Sequence, residues 1–219
     1  MTKKEYLRNI AYTKIKEMIL KGQLEGPFIS ENELVNILGI SRTPIRDALQ
    51  KLQYEKFIEI IPKKGVFLRE VSLKESNDLM DVRLAVEIFS MKQLTNQLSE
   101  DHVLELDAKV EVQEEMIQKN DIYNFISEDI AYHLFLLDIV GNEYFIEVIN
   151  HITNRLFHHG MEIFKKNPLK MKSSVEDHKK INNCLRKNEF KKAIQLMQRH
   201  ILKGKGDYMS QDITDIKGI

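Results

Sequence analysis

The segment Ser41-Arg42-Thr43-Pro44-Ile45-Arg46-Asp47-Ala48-Leu49-Gln50-Lys51-Leu52-Gln53-Tyr54 constrains the chain more than any other. Ile45, Ala48, Leu49 and Leu52 recur at i, i+3, i+4 and i+7, the apolar face of an amphipathic helix. Arg42, Thr43 and Arg46 share the opposite side near its start, with Gln50 one turn further on. Ser41 offers an N-cap hydroxyl. Pro44 is tolerated because first-turn amides have no partner inside the helix. Two guanidinium forks and a threonine at the leading end of an apolar-backed helix suit a major groove, where they can meet guanine edges or phosphates. Taken alone, such a helix is better read as a solvated surface element. Its neighbours decide otherwise.

Leu7, Ile10, Ala11, Ile15, Met18 and Ile19 form a stripe that predicts a first helix over residues 4–21, broken by Lys21-Gly22 and Gly26-Pro27. Ser30-Glu31-Asn32-Glu33 is a capping box and predicts a short second helix burying Leu34, Ile37 and Leu38. Gly39 suits the left-handed turn that ends such a helix, and Ile40-Ser41 leads straight into the third. Helix, short glycine turn and helix make a helix-turn-helix. After Tyr54 the period falls to two. Phe57–Ile61 and Val66–Leu68 flank Pro62-Lys63-Lys64-Gly65, a hairpin with a basic tip. Beside a helix-turn-helix that hairpin is a wing, and Lys63 and Lys64 are placed for phosphate or the minor groove. Without that neighbour, two lysines in a turn would be read as solvated.

Formal net charge is zero over 219 residues, so the chain as a whole is no polycation. Residues 1–71 carry thirteen Lys/Arg against nine Asp/Glu, and residues 72–219 twenty against twenty-four. A basic front and an acidic rear fit a nucleic-acid module joined to a second domain, with the boundary at 71/72. Cys184 is the single cysteine, which excludes an intrachain disulfide framework and a cysteine-rich zinc site; it is read as a core residue. Met1-Thr2-Lys3-Lys4-Glu5-Tyr6 leads into a charged amphipathic segment rather than a signal peptide. No apolar run approaches the roughly 18 residues of a membrane span. A cytoplasmic protein without a membrane partner is expected.

From Ser72 onward no strand signal recurs, and Pro168 is the only proline. Helices are predicted over 74–98, 100–119, 121–140, 143–165, 173–187 and 189–204, an all-α antiparallel bundle. The first carries two apolar stripes, Leu79/Val82/Val86/Phe89 and Met80/Leu84/Ile88/Met91. A helix apolar on two sides packs between partners, which makes it a candidate for a dimer interface. The tail beyond Gly204 is expected to be frayed or loosely docked.

Polar residues interrupt three of these apolar stripes. Over 121–140 the inward stripe runs Ile122, Phe125/Ile126, Asp129, His133, Leu136, Val140. His178 interrupts Val175, Ile181/Asn182, Leu185, and His200 interrupts Phe190, Ala193/Ile194, Met197, Ile201. A buried carboxylate needs compensation, and side chains four apart on a helix can share one ion. Imidazoles with one carboxylate suit zinc, nickel, manganese or iron(II), with positions left for water or a ligand. Each histidine alone would be read as a hydrogen-bonded core residue. Four interruptions on three helices of one bundle favour a divalent metal held by Asp129, His133, His178 and His200. His102, His151, His158 and His159 lack the pattern and are read as surface or pocket-edge residues. Arg83 and Arg155 could each set a guanidinium beside a carboxylate on that metal. The competing reading of both is an ion pair with Glu87 or another acid.

These residues resemble the GntR family of bacterial transcription regulators in its FadR-like branch. Ser30–Leu34, Leu38–Leu49 and Pro62–Val66 carry the likeness to that family's winged helix. Val82–Glu87, Asp129–His133, Asp177-His178 and Arg199-His200 carry a looser likeness to its all-helical FCD effector domain, in the six-helix variant. The resemblance implies that Arg42, Thr43, Pro44 and Arg46 meet DNA with the wing residues Lys63, Lys64 and Gly65, the glycine letting backbone approach the groove. It also implies that Asp129, His133, His178 and His200 are the metal positions. One departure is Asn32, where many relatives place an arginine that reaches DNA; asparagine can hydrogen-bond but cannot neutralise a phosphate.

The expectation is a mainly α protein. Residues 1–71 form a winged helix-turn-helix, and residues 72–219 a metal-containing effector-binding and dimerisation domain. A homodimer would read a pseudo-palindromic double-stranded operator. A small organic acid would bind through its carboxylate to the metal, zinc foremost, and to Arg83 or Arg155, and so relieve repression. Two rivals stay open: a metal that is structural or is itself the signal, and a helical metalloenzyme fused to a DNA-binding module. The enzyme needs a general base near metal-bound water, and Glu128 and Asp138 lie off the Asp129/His133 face.

Overall fold

The computed structural model describes residues 3–24 and 26–205. It divides between Val71 and Ser72 into two compact units.

The first unit comprises α1 (Lys3–Lys21), β1 (Phe28–Ile29), α2 (Glu31–Leu38), α3 (Arg42–Tyr54), β2 (Ile58–Ile61) and β3 (Gly65–Leu68). Ala11, Ile15, Ile19 and Leu20 of α1 are buried, as are Ile45, Ala48, Leu49 and Leu52 of α3, and these two helices pack together. Each buried Ile or Leu among them contributes about 1.5–3 kcal/mol by leaving water. At the rim of this contact the Tyr12 hydroxyl donates to the Glu55 carboxylate at 2.7 Å, and Lys51 Nζ sits 3.8 Å from the centre of the Tyr12 ring.

Helix α2 starts on the predicted capping box. Ser30 Oγ accepts from Glu33 N at 3.1 Å, and Glu33 returns a carboxylate to Ser30 N at 2.7 Å. It ends on Gly39 at φ 64°, whose amide donates to Val35 O. Leu34 is its buried residue; Ile37 is 56 % exposed, so the helix is too short and too peripheral to bury the wider stripe expected. Ser41 occupies the N-cap of α3, yet its hydroxyl makes no cap hydrogen bond. The third helical position is Pro44, which has no amide hydrogen to give.

The hairpin β2–β3 pairs Ile58 with Leu68 through Ile61 with Gly65, leaving Pro62, Lys63 and Lys64 as the turn. A third strand, β1, pairs antiparallel with β3 and gives the order β1-β3-β2. Two residues long, it was invisible to periodicity. It explains Gly65, which holds φ +110° and would place a Cβ 3.0 Å from the Ile29 carbonyl oxygen. The glycine is required by the sheet itself, a different reason from the groove approach that the resemblance implied.

The second unit contains α4 (Leu73–Gln93), a 3-10 turn (Leu94–Asn96), α5 (Glu100–Gln118), α6 (Ile122–Val140), α7 (Glu143–Lys166), α8 (Leu169–Arg186) and α9 (Phe190–Leu202). Capping side chains set the starts: Ser72, Ser99, Asp121 and Asn142 each accept from the third amide of the following helix. Gly141 at φ 69° closes α6. Helix α8 begins at Leu169, four residues before the predicted onset, with Pro168 as its N-cap, a place that needs no amide hydrogen from the proline. Helix α5 packs on α6 and α8, α8 on α9, and α4 on α6, α7 and α9. The core runs through Leu106, Val110, Phe125, Ile126, Leu136, Leu137, Ile181, Leu185, Ala193, Met197 and Ile201. Cys184 is buried, as read from its helix face. Among the described residues no helix is long and apolar enough to cross a membrane. The tail expected to be loose lies, from residue 206 onward, outside the described residues.

Two predictions follow from this packing. Gly65→Ala should destabilise the first unit by about 1–3 kcal/mol, read as a lower denaturant midpoint; an unchanged midpoint would contradict the close contact with Ile29. His158 and His159 are both held down to about 4, His158 by burial and the nearby Arg155, His159 by burial despite its contact with the Gly204 carbonyl. The unfolded chain therefore binds more protons between about pH 4 and 6.5, and stability present above 6.5 is lost as pH falls. Each histidine contributes at most about 1.4 kcal/mol per pH unit in that window. Urea unfolding of metal-free protein at pH 7 and pH 5 should show the drop; equal midpoints would contradict it.

Candidate metal centre and nucleic-acid surface

Asp129 and His133 lie one turn apart on α6, His178 comes from α8 and His200 from α9. One donor atom from each lies within 4.8 Å of the other three. Asp129, His133 and His178 are buried and His200 nearly so. The Nε2 atoms of His133 and His178 approach that of His200 to 3.2 and 3.3 Å. Asp129 carboxylate oxygens stand 3.9 Å from His178 Nε2 and 4.0 Å from His133 Nε2. The sequence-predicted quartet is thus one cluster.

The outward nitrogens decide which edge of each ring faces in. His133 Nδ1 lies 2.7 Å from Glu87 Oε2. Glu87 is buried and ionised: burial opposes its charge, but Arg83 and then His133 outweigh that and hold it far below the usual carboxylate range. An ionised carboxylate can only accept, so its charge favours the His133 proton on Nδ1, although Nδ1 makes no well-directed hydrogen bond. His178 Nδ1 lies 2.9 Å from Gln113 Oε1, while Gln113 Nε2 donates to the Glu128 carbonyl at 3.3 Å. With its amide fixed in that sense, Gln113 accepts from His178 Nδ1–H. On the third ring, His200 Nδ1 faces Asp177 Oδ2 at 3.7 Å, and Lys203 Nζ is 2.5 Å from the same oxygen. The Nε2 atoms of three rings on three helices therefore converge.

Burial, then the facing histidines and Arg83, push His178 well below its ordinary value. Burial and then Arg83 lower His133. Both rings are neutral donors at pH 7. Tyr132 stacks on His178 at 4.0 Å, and its hydroxyl donates to Asn182 Oδ1 at 2.8 Å. Asn182 in turn donates to Asp107, which also pairs with Arg186. Ser174 Oγ donates to Asp129 Oδ1 at 3.0 Å. Two neutral imidazoles with outer partners, a third that faces Asp177 and an oriented carboxylate are the makings of a divalent-metal site. Zn–N bonds of about 2.0–2.1 Å at tetrahedral angles separate donors by about 3.3 Å, which the two Nε2 spacings to His200 match, while the Asp129 oxygens stand somewhat further off. The donor set fits a cation.

A cavity of about 270 Å³ adjoins the cluster, with Asp129, His200 and Arg83 on its wall. Arg83 thus serves both readings made of it: its Nε donates to Glu87 Oε1 at 2.7 Å, and it also lines the cavity. Arg155 does not. Its guanidinium is in an ion pair with Glu75 at 2.6 Å, joining α7 to α4, and it is not part of that wall, so its expected role toward an effector is corrected to a structural one. His159, read as surface or pocket-edge, is buried and lines the cavity. Gln113 and Tyr132 were missed. A glutamine and a tyrosine on mostly apolar faces carry no distinctive spacing.

In the first unit Arg42, Thr43, Arg46 and Gln50 are exposed on one side of α3. Arg46 Nε donates to Glu31 Oε2 of α2 at 2.8 Å. Asn32 is exposed next to Glu31, and Lys63 and Lys64 are exposed in the wing turn. Pro44 is corrected: it is buried with Ile45 on the inward side of α3, so it shapes the helix start and offers no surface.

Comparison with known proteins agrees with these two halves. Residues 7–68 match the family described as bacterial regulatory proteins, gntR family, and residues 78–203 match the FCD domain. An uncharacterised HTH-type transcriptional regulator in an unstable DNA locus of Streptomyces ambofaciens is 33 % identical over 142 residues, 62 % of this chain and 57 % of that protein. The gluconate operon transcriptional repressor of Bacillus licheniformis is 28 % identical over 139 residues, 63 % of this chain and 57 % of that protein. The chain thus spans less than two thirds of the length of these relatives. Two solved structures share the fold. A GntR-type regulator from Rhodococcus sp. RHA1 has a TM-score of 0.77 at 17 % identity, covering 91 % of this chain and 96 % of that one. Escherichia coli McbR/YncC has 0.71 at 17 %, covering 93 % and 95 %. The FCD match alone takes in more than half of the chain, and it is preceded by the winged-helix match. The chain therefore belongs to the GntR family of bacterial regulatory proteins, which are DNA-binding transcription regulators rather than enzymes, and its second unit is an FCD domain.

Proposed function

We propose that this chain is a homodimeric, metal-containing repressor whose hold on a pseudo-palindromic operator is relieved by a small organic acid. The observation that carries the effector half is the convergence of three imidazoles and Asp129 at one point, beside a cavity that Asp129, His200 and Arg83 line. Asp129, His133, His178 and His200 would hold the ion. A bound divalent cation, zinc foremost, supplies a Lewis-acid position for a carboxylate. The chain's own residues do the rest. Arg83 stays charged beside Glu87, whose attraction outweighs the cost of burial, and it offers a guanidinium to the acid. Gln113 and Glu87 keep the His178 and His133 protons on the outward nitrogens. For the acid to change operator affinity, it must bind one arrangement of the dimer better than another.

On the DNA side, Arg42, Thr43 and Arg46 are proposed to meet the major groove, with Asn32, Lys63, Lys64 and the wing backbone at Gly65 contacting its flanks. Arg46 must exchange Glu31 for DNA on docking. That exchange is cheap, since an exposed ion pair contributes about 0–1 kcal/mol. The repressor named for a gluconate operon among the relatives supports the sign of regulation.

The direct test is operator binding by zinc-loaded protein with and without candidate acids. Release by an acid supports the proposal. Response to metal removal alone, with no acid effective, would contradict it, and turnover of an acid would point to an enzyme. Arg46→Ala should weaken specific binding roughly 5- to 150-fold, the equivalent of about 1–3 kcal/mol, with an unchanged unfolding midpoint; equal affinity and sequence preference would remove Arg46 from the interface. Gln113→Leu removes no proposed ligand but should lower zinc affinity about 10- to 100-fold in chelator competition. His178→Ala should lower it further and weaken the second unit's fold; full occupancy there would show the ligand set to be wrong.

A further inference from the structure

The cavity beside the donor cluster is polar at its donor end and apolar along its flank. Met80 of α4, Ile126 and Ile130 of α6, and Leu156, Ile163 and Phe164 of α7 form that flank. Gly160 lies among them, where a Cβ would come within 3.3 Å of Ile126, so α7 rests on α6 with no side chain between. The polar groups closest in sequence to this wall are already engaged. His159 contacts Ser76 Oγ at 2.9 Å and the Gly204 carbonyl at 3.2 Å, and Ser174 donates to Asp129. The remaining polar lining lies on the side of α8 and beyond α9, at Ser173, Lys170 and the paired Asp177 and Lys203. The space of about 270 Å³ equals about nine water volumes.

We propose that the cavity takes an aliphatic monocarboxylate with an unhydroxylated tail of about four to six carbons, and rejects hydroxylated acids of the same length. The inference rests on the reading above, in which the donor cluster and Arg83 seat the carboxylate. A tail methylene leaving water for this wall should tighten binding roughly two- to fourfold. A tail hydroxyl left there without a partner should weaken it by about tenfold. Hexanoate and gluconate share a six-carbon skeleton and differ by five hydroxyls, four of them beyond the carbon next to the carboxylate.

The experiment is calorimetric titration of the zinc-loaded full chain with acetate, butanoate, hexanoate and gluconate. Hexanoate is expected to bind at least tenfold tighter than acetate, and gluconate no tighter than acetate. Gluconate equal to or tighter than hexanoate, or no gain from acetate to hexanoate, would overturn the inference while leaving the seat intact. Failure of all four to bind would overturn the seat, and the inference with it. Ile163→Gln should cost hexanoate about tenfold and leave acetate unchanged; equal losses for both would show that Ile163 does not face the tail.

Discussion

The second unit is built round one electrostatic constraint: three imidazoles and a carboxylate face one another at the edge of a cavity. The His200 Nε2 lies 3.2–3.3 Å from the other two, and a single proton cannot satisfy both contacts. A bundle that merely needed core histidines could turn each ring to donate inward. Here the ring protons are drawn outward, by Glu87 at His133 and by Gln113 at His178. Glu87 is itself held by Arg83, and Gln113 by the Glu128 carbonyl. The helices α4 and α5, which supply none of the four donors, are therefore part of the centre. A cation placed among the donors would be coordinated by all four, and this is the proposed physical link from the helical packing to a ligand response.

The first unit solves a simpler problem. A short helix-turn-helix must hold α3 rigidly while leaving one of its sides bare. The buried line Ile45, Ala48, Leu49 and Leu52 fixes that helix on α1, and Arg42, Thr43, Arg46 and Gln50 remain outside. The wing is braced by β1, whose Ile29 carbonyl leaves room for glycine alone at position 65.

What could be read from the residues was whatever leaves a periodic or positional trace. The capping box at Ser30 and Glu33, the glycine stop at Gly39, the α3 stripe and the four interrupted positions all do so, since each depends on local geometry. The fold class, the winged helix and the clustering of Asp129, His133, His178 and His200 follow from them. Other features depend on tertiary context and leave no such trace. The two-residue β1 is specified by its partner strand. Gln113 looks like any polar helix residue until α8 is packed beside it. Arg155 sat on a plausible face, and only the approach of α4 reveals Glu75 as its partner. The Ser41 cap could have been judged better from the residues alone, since a proline three positions on has no amide to offer.

The central claim concerns protons as much as positions, so imidazole nitrogen NMR of metal-free protein at pH 7, followed through a zinc titration, tests it most directly. The account predicts that His133 and His178 carry their protons on Nδ1, and that the Nε2 signals of His133, His178 and His200 all move at one equivalent of zinc. Protonated Nε2 on His133 or His178, or signals indifferent to zinc, would contradict it.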